Sequence, residues 1–297
     1  MENKKNIAII GGTGMLGLPV VKELINAGFN VTALVRNKAK AERLLPKAVN
    51  IIVVELHDKI GLNSALKGVD DVYLNLSVSP TEKKNGFHPE KEGLANVINA
   101  VKKNKIKRIG YLSSIISRDY KGIDWWVFDI KQEAINTIKK SGVSYSIFYP
   151  SSFMENLNNT FIRGNKINIV GKPLYKNWWI SGEDYGRQVA RSFEILKEGE
   201  NREYTIQGTE ALMMDEAVEI FVKHYKKQSL KIGKAPLGLL KFIGIFNPQL
   251  KYVSNILEVI NNCNEKFDAQ KTWEELGKPR LTVLEYTKGL GIPAKTI

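Results

Sequence analysis

The sequence has little of what disulfide-bonded, metal-binding or membrane-spanning proteins need. It holds a single cysteine, Cys263, so no disulfide can form within the chain, and we expect that thiol to be a small buried apolar group. No Cys/His cluster has the spacing of metal ligands, and no run of about 18 apolar residues could cross a bilayer. The first residues, MENKK, lead into a strand pattern without a signal-peptide pattern, so we expect a cytoplasmic protein.

Acidic residues are outnumbered by basic ones. The 297 residues include 44 Lys and Arg against 31 Asp and Glu, a net charge of +13. Such a charge favours an anionic partner, whether a nucleotide phosphate, nucleic acid or an acidic membrane surface. The cations are spread along the chain, with local clusters at 102–108 and 226–234. Because no aromatic interleaving or DNA-binding motif accompanies them, we interpret both clusters as solvated surface and expect neither nucleic acid nor a membrane as a partner.

Short β-rich apolar runs alternate with helical stretches over residues 1–150. The runs are NIAIIGG at 6–12, VTALVR at 31–36, IIVVEL at 51–56, DVYLNLS at 71–77, RIGYLSS at 108–114 and VSYSIFYP at 143–150. Strand, helix and strand repeated in this way require right-handed crossovers, which build a parallel sheet covered on both faces. The sequence therefore predicts an α/β fold with a doubly wound parallel (Rossmann) sheet in this segment.

The pattern loosens after Pro150. We expect a helix over 181–196, a short strand around 204–208, and helices through 215–228 and 254–276. No Gly/Ser-rich or Pro-rich linker separates this part from the first. We therefore interpret residues 151–297 as a smaller α+β lobe that caps a substrate and is intertwined with the core.

A glycine-rich turn follows the first predicted strand. In GGTGMLG, Gly11 permits a tight turn, Gly14 lets a pyrophosphate approach the backbone, and Gly17 allows the next helix to pack closely on the sheet. The helix N-terminus offers free N–H donors to phosphates. We predict that this turn, including Thr13, Met15 and Leu16, binds a dinucleotide, which makes residues 1–150 the NAD(P)-binding core.

The end of the second predicted strand indicates which dinucleotide binds. NAD-preferring sites place Asp or Glu there, whereas this chain has Arg36, with Lys38 and Lys40 nearby. A guanidinium can pair with a 2′-phosphate, so NADP(H) is the preferred cofactor and NAD(H) remains possible. The ends of the third and fourth strands should complete the crevice. The residues expected there are His57, Asp58, Asn75, Leu76 and Ser77.

Segments from nearly the whole chain match one family pattern. They are GGTGMLG, ALVR, LHD, LNSALKGVDDVYLNLS, YLSS, KQEAINTIKKSGVSYSIFYPSSFMENL and NREYTIQGTEALMMDEAVEI, the last of which looks like a strand and helix of the small lobe. With these segments the chain resembles the NmrA-like, or atypical short-chain dehydrogenase/reductase, family, which includes isoflavone reductases and NAD(P)H-dependent quinone reductases. The resemblance implies the fold and an NAD(P) cofactor, whereas substrate does not transfer with the fold.

The resemblance also suggests where catalysis occurs. Short-chain dehydrogenases use a Tyr-x-x-x-Lys pair, in which lysine lowers the pKa of the tyrosine that donates the proton. Lys131 matches the lysine, but Val127 stands at the tyrosine position. By resemblance to isoflavone-reductase-like relatives, Lys131 holds the nicotinamide ribose and acts as the general acid or orients it through water. Related enzymes also place a serine at the end of strand five, so Ser113 or Ser114 is expected to polarise the substrate oxygen.

Other side chains are weaker candidates for the site. Asp129, Tyr111 and Tyr149 could supply a proton, and Tyr149 stands where the family often has arginine. We place Tyr149, Pro150 and Phe153 against the cofactor. A flat apolar substrate such as a quinone or enone should contact an aromatic and thioether surface. Its predicted members are Trp125, Trp126, Phe153, Met154, Trp178 and Trp179.

Three functions fit these features. The first is transfer of hydride from NADPH to a small carbonyl, enone or quinone, with the protein a monomer or homodimer. The second is a regulatory sensor of NADP(H) that catalyses nothing, which Val127 favours and Lys131 opposes. Sugar-nucleotide epimerisation fits the fold but needs the missing tyrosine as its base, so it ranks below the other two.

Overall fold

A computed structural model of the chain describes residues 4–290. Residues 1–3 and 291–297, the outer ends of the two predicted segments, lie outside the described residues. The strands are β1 (Asn6–Ile10), β2 (Asn30–Val35), β3 (Asn50–Val53), β4 (Asp71–Leu74), β5 (Arg108–Leu112), β6 (Ser144–Pro150), β7 (Ile162–Arg163), β8 (Lys166–Val170), β9 (Asn177–Trp178), β10 (Arg202–Ile206), β11 (Ala211–Leu212) and β12 (Lys231–Ala235).

Helices occur on both sides of the sheet and throughout the C-terminal part. They are α1 (Gly17–Asn26), α2 (Lys38–Leu44), α3 (Lys59–Ala65), α4 (Leu94–Lys103), α5 (Ile115–Asp119), α6 (Trp126–Lys139), α7 (Glu155–Asn159), α8 (Gly182–Ile195), α9 (Met214–His224), α10 (Leu237–Gly244), α11 (Pro248–Asn262), α12 (Gln270–Leu276) and α13 (Val283–Gly289). One π-helical turn, Pro89–Gly93, runs directly into α4.

The central sheet has seven parallel strands in the order β10-β6-β5-β4-β1-β2-β3. The order reverses between β1 and β4, so the carboxyl ends of these strands flank the crevice in which doubly wound folds bind ligands. The predicted doubly wound α/β fold is confirmed.

Alternate residues of each strand point to opposite faces of the sheet, and each face has its own core. In β1, Ile7 and Ile9 pack with α1 and α8, while Ala8 and Ile10 pack with α3, α4 and α6. Both faces of β1 are buried because helices cover both. This double coverage explains why the strands are continuous apolar runs in the sequence.

The strand predicted in the small lobe around 204–208 is instead an edge strand of the central sheet. As β10 it pairs in parallel with β6, and the ring of Tyr204 stacks on Phe148 with centroids 5.8 Å apart. Likewise α8, predicted as part of the lobe, packs on α1, and the hydroxyls of Tyr185 and Tyr73 lie 2.7 Å apart. Burial of these aromatic rings against the core draws both elements back onto the sheet.

The rest of the C-terminal part forms a separate layer of small sheets and helices. One sheet has the order β12-β8-β7, and another pairs β11 with β9. Its apolar core includes Met154, Trp179 and Phe221. The prediction of helix over 254–276 is wrong for residues 263–269, which form an extended segment between α11 and α12. Polar groups of this segment form hydrogen bonds with residues at the ends of β6 and β10 instead of helical ones.

Candidate active site

The glycine turn joins β1 to α1 through close backbone contacts. Gly11 has φ +83°, and a Cβ atom there would overlap the carbonyl oxygen of Asn75. A Cβ on Gly17, the first residue of α1, would overlap the carbonyl oxygen of Gly11. Gly14 has more room, because its nearest neighbour would be that same oxygen at 3.2 Å. Two glycines therefore shape the turn, and the third leaves its outer side open to a ligand.

A cleft of about 320 Å³ opens beside this turn, over the carboxyl ends of β1 to β4. Seven predicted cofactor residues line it: Gly11, Thr13, Arg36, His57, Asn75, Leu76 and Ser77. Five apolar residues at the ends of β1, β2 and β3 also line it: Ile10, Leu34, Val35, Val54 and Leu56. The sequence did not point to the remaining members, which are Glu55 and three residues of the segment between β4 and α4. The residues of that segment are Glu82, Phe87 and Pro89.

Arg36 lies at the rim of the cleft, directly after β2. It is exposed, and within residues 4–290 its guanidinium forms no ion pair or hydrogen bond. Lys40 does not line the cleft; its backbone N–H donates to Oδ1 of Asn37, 2.9 Å away, at the start of α2. Asp58 caps α3 by accepting from the N–H of Gly61 at 2.8 Å. Of these three predicted residues, Arg36 is the one that lines the cleft, and its guanidinium has no partner within residues 4–290.

Lys131 is not a solvent-facing helix lysine. Its Nζ lies 2.6 Å from Oε1 of Glu90, whose side chain is fully buried in the π-helical turn. The hydroxyl of Tyr111 donates to the same oxygen, also at 2.6 Å. Burial, and then the Glu90 carboxylate, raise the pKa of Tyr111 well above its usual value. Tyr111 is therefore a neutral hydrogen-bond donor that helps to hold Glu90.

No feature of the sequence pointed to Glu90 as a site residue. It lies in a segment without a motif, and 41 residues separate it from Lys131. Its second oxygen, Oε2, is buried without a hydrogen-bond partner among the described residues. A fully buried carboxylate is stable only when it is paired, so Glu90 fixes the position of the Lys131 ammonium and depends on it.

Val127, at the position of the missing tyrosine, is buried in a small apolar cluster with Val78 and Trp125. Tyr252 of α11 joins this cluster: its ring lies 4.9 Å from that of Trp125, and its hydroxyl donates to the Val78 carbonyl at 3.3 Å. Burial raises the pKa of Tyr252 to about 12. A helix of the C-terminal part thus brings a tyrosine hydroxyl close to the segment that follows β4.

A second buried carboxyl group lies at the end of β6. Ser151 follows Pro150 directly, and its hydroxyl donates to Oε2 of Glu265 at 2.5 Å. Burial raises the pKa of Glu265 to about 7, although the bond from Ser151 opposes the shift.

Ser113, at the end of neighbouring β5, is buried, and its Oγ has no hydrogen-bond partner within residues 4–290. Ser114 is half-exposed and precedes α5.

Several predicted site residues have structural partners. The Tyr149 hydroxyl donates to Glu203 on β10 at 2.7 Å, and Phe153 packs edge-on against Tyr185 with centroids 5.4 Å apart. Pro150 ends β6 beside Ile206. Asp129 is exposed on α6. These contacts give no direct evidence of cofactor binding, so the assignments stay predictions.

The predicted substrate surface is only partly available. Met154 and Trp179 are fully buried in the core of the C-terminal layer, and Trp125 is buried beside Val127. The prediction that Met154 and Trp179 contact a substrate is wrong, because their side chains fill that core. Trp126 and Trp178 are half-exposed and remain candidates. Within residues 4–290, no three or more His, Cys, Asp and Glu side chains are grouped to hold a metal ion.

This fold and this turn define the class of protein. The chain matches the NmrA-like family over residues 3–288 and belongs to that family. It is 26% identical over 246 residues to the photosystem II assembly factor Ycf39 of Cyanophora paradoxa, covering 80% of this chain and 73% of that protein. It is also 26% identical over 291 residues to quinone oxidoreductase 2 of Escherichia coli K12, covering 94% and 96%.

A solved structure shares the fold. The crystal structure of an NADPH-dependent quinone oxidoreductase from Escherichia coli, in complex with NADPH, superposes with a TM-score of 0.70. The superposition covers 96% of this chain and all of that chain, at 23% sequence identity. The agreement shows that the two chains share one fold over nearly their whole length.

Proposed function

We propose that this chain is an NAD(P)H-dependent oxidoreductase that prefers NADP(H) and reduces a small apolar aromatic acceptor of the quinone type. The observation that carries the proposal is the cleft itself. A glycine turn with one open side lies at its base, and Arg36 stands at its rim without a protein partner among the described residues. This arrangement suits a pyrophosphate at the turn and a 2′-phosphate at the arginine.

The residues present fit such a cofactor. The turn of Gly11 and Gly14 would hold the pyrophosphate, and Asn75 to Ser77 would flank the adjoining ribose. When bound, the reduced nicotinamide supplies a hydride. Lys131, fixed by Glu90, would hold an ammonium at the ribose and substrate end of the site. Ser113 would donate a hydrogen bond to the substrate oxygen, since its hydroxyl is otherwise without a partner in the described part of the chain.

The quinone-type acceptor is supported by two lines of evidence. A relative that aligns over almost the full length is named quinone oxidoreductase 2. The half-exposed rings of Trp126 and Trp178 offer flat apolar surface to such an acceptor.

A regulatory NADP(H) sensor is the second candidate. It is favoured by Val127, whose apolar side chain is buried where the family's proton-donating tyrosine would stand. A sensor would bind NADPH as tightly as a reductase but would not turn over.

Fluorescence titration with NADPH and NADH tests the cofactor. The wild-type chain should bind NADPH more tightly than NADH. Arg36→Asp should weaken NADPH binding by roughly 10–100-fold, because a charge-assisted pair to phosphate is replaced by repulsion, and should change NADH binding much less. Arg43→Asp, an equally exposed arginine on α2 outside the cleft, is the matched control and should leave both affinities unchanged. Equal losses for both nucleotides would contradict the assignment of Arg36.

NADPH oxidation against a panel of quinones, enones and aldehydes tests the reaction. Turnover that is fastest with quinones supports the proposed acceptor. Tight NADPH binding without turnover on the whole panel would replace the reductase proposal by the sensor.

A further inference from the structure

Helix α10 carries an apolar stripe that faces away from the protein. Leu239, Phe242 and Ile243 recur at the spacing of one helix face, and Ile245 and Phe246 extend the stripe into the following turn. Their exposed fractions run from 42% for Ile243 to 79% for Phe246. The opposite side of α10 lies against α11 so closely that a Cβ on Gly244 would be 3.0 Å from the Lys251 backbone. The stripe is therefore held outward by the packing of the hairpin α10–α11.

The same region is strongly cationic. From Phe221 to Leu257 the chain contains no Asp or Glu. Its seven lysines are Lys223, Lys226, Lys227, Lys231, Lys234, Lys241 and Lys251. Lys234 and Lys241 pair with acidic residues outside this segment, whereas Lys231 and Lys251 form no ion pair within residues 4–290. The lysines at 226–234, interpreted from the sequence as solvated surface with no membrane partner, thus lie in the same segment as an exposed apolar stripe, which changes that interpretation.

We propose that the α10–α11 hairpin docks on an anionic membrane surface, with the apolar stripe inserted at the interface and the lysines against the headgroups. A helix with exposed large apolar side chains and cationic flanks has the chemistry of an interfacial helix. A second copy of the chain fits less well, because two such faces would bring their uncompensated lysines together. Within residues 4–290 no helix is both long and apolar enough to cross a bilayer, so the contact is to the surface.

The docking face is one helix away from the candidate site. On α11, which packs against α10, Val253 is exposed, while neighbouring Tyr252 points inward to the Val78 carbonyl. Membrane docking would therefore place the substrate end of the site near the bilayer, where apolar quinones dissolve. This last consequence rests on the proposed function; the docking itself does not.

Flotation with lipid vesicles tests the docking. The full chain should float with phosphatidylcholine vesicles that contain phosphatidylglycerol, bind pure phosphatidylcholine vesicles at least about 10-fold more weakly, and be released by salt. The double variant Phe242→Asp/Phe246→Asp should lose at least about 10-fold in binding to the anionic vesicles. Ile60→Asp, which changes an 85% exposed isoleucine on α3 in the same way, should bind like the wild type.

The other possible results of these experiments decide whether the stripe binds a membrane, a second copy of the chain or neither. If the wild type does not bind anionic vesicles at low salt, or if the double variant binds as well as the wild type, the proposal is overturned. It is also overturned if the wild type is a dimer by light scattering and the double variant a monomer, since the stripe would then join two copies. Circular dichroism and NADPH titration should be unchanged in the double variant, which separates docking from folding and from the cofactor site.

Assays with two quinones test the docking and the proposed function independently. A water-soluble quinone should be reduced equally by the wild type and the Phe242→Asp/Phe246→Asp variant, whereas a quinone dissolved in anionic vesicles should be reduced several-fold faster by the wild type. Vesicle binding without reduction of either quinone would refute the reductase and leave the docking established.

Discussion

The two ends of the candidate site are built by different means. The nucleotide end, over β1 to β4, consists of a glycine turn, backbone groups and exposed side chains at strand ends. The other end, over β5 and β6, contains two buried carboxyl groups, Glu90 and Glu265, with a lysine and two hydroxyls as their partners. The first end depends on backbone shape, and the second on side chains that compensate each other's burial.

This difference determines what a substitution does at each end. A backbone turn fails when a side chain is added, and the damage stays close to the turn. A buried ion pair fails when one partner is removed, because the other charge is left in an apolar setting. We therefore expect a side chain added to the turn to impair cofactor binding, and the loss of one charge at the other end to cause the larger loss of stability.

The largest effect is expected from Lys131→Ala. It leaves the Glu90 carboxylate buried without its cation, and should lower the free energy of unfolding by about 3–5 kcal/mol as well as abolish turnover. Urea denaturation and NADPH oxidation measure the two effects. A solvent-facing helix lysine could be replaced with little effect on folding, whereas the buried Glu90 makes Lys131 necessary for stability.

A double variant sharpens the test. In Lys131→Met/Glu90→Gln both charges are gone, so most of the lost stability should return while turnover stays absent. If turnover returned with stability, Lys131 would be structural only. If Lys131→Ala is as stable as the wild type, stability at this end does not depend on the buried ion pair, and the two ends of the site do not differ in the way described.

The next effect is expected at Gly11. Gly11→Ala places a Cβ against the Asn75 carbonyl at a positive φ, and should cost about 2–3 kcal/mol of stability and weaken NADPH binding by at least about 100-fold. Gly68→Ala is the control: its φ is +73°, but no atom lies within 4 Å of the added Cβ. It should cost only about 1 kcal/mol, from backbone strain, and leave NADPH binding intact. If Gly68→Ala weakened NADPH binding as much as Gly11→Ala, the loss would come from backbone strain and not from the shape of the glycine turn.

The smallest effect concerns pH. Burial raises the pKa of Glu265 from 4.5 to about 7, so the folded state holds its proton more tightly than the unfolded state does. The stability this proton provides is complete below about pH 4.5 and is lost as the pH rises through about 7. Glu265→Gln removes the titration. Urea denaturation should show that the free energy of unfolding falls less between about pH 5 and about pH 8 in the variant than in the wild type. An equal fall in both proteins would refute the assignment of this titration to Glu265.

The sequence allowed much of the nucleotide end to be predicted. Gly11, Arg36 and Asn75 lie in one cleft because each follows a parallel strand, and such strands end at one edge of the sheet. The fold was predicted from the alternation of strands and helices and the family from the resemblance of several segments, and both predictions are confirmed. Phe87, which also lines the cleft, follows no strand and carried no such signal.

The other end was predicted less well because its contacts are long-range. Glu265 was expected inside a helix, but 114 residues separate it from Ser151, its partner. The strand around 204–208 shows no sequence feature that would assign it to the central sheet rather than the lobe. Aromatic character predicted a substrate surface, yet Met154 and Trp179 fill a core, since apolar side chains serve either purpose.

By itself the sequence determined the alternation of strands and helices, the glycine turn and the cation at the end of β2. These depend on local periodicity and on conformations that only certain residues adopt. Only the tertiary structure decided that Glu90 lies against Lys131, that β10 completes the central sheet, and that the apolar side of α10 faces outward. Those features depend on which distant surfaces pack together, and the residues around them are compatible with more than one packing.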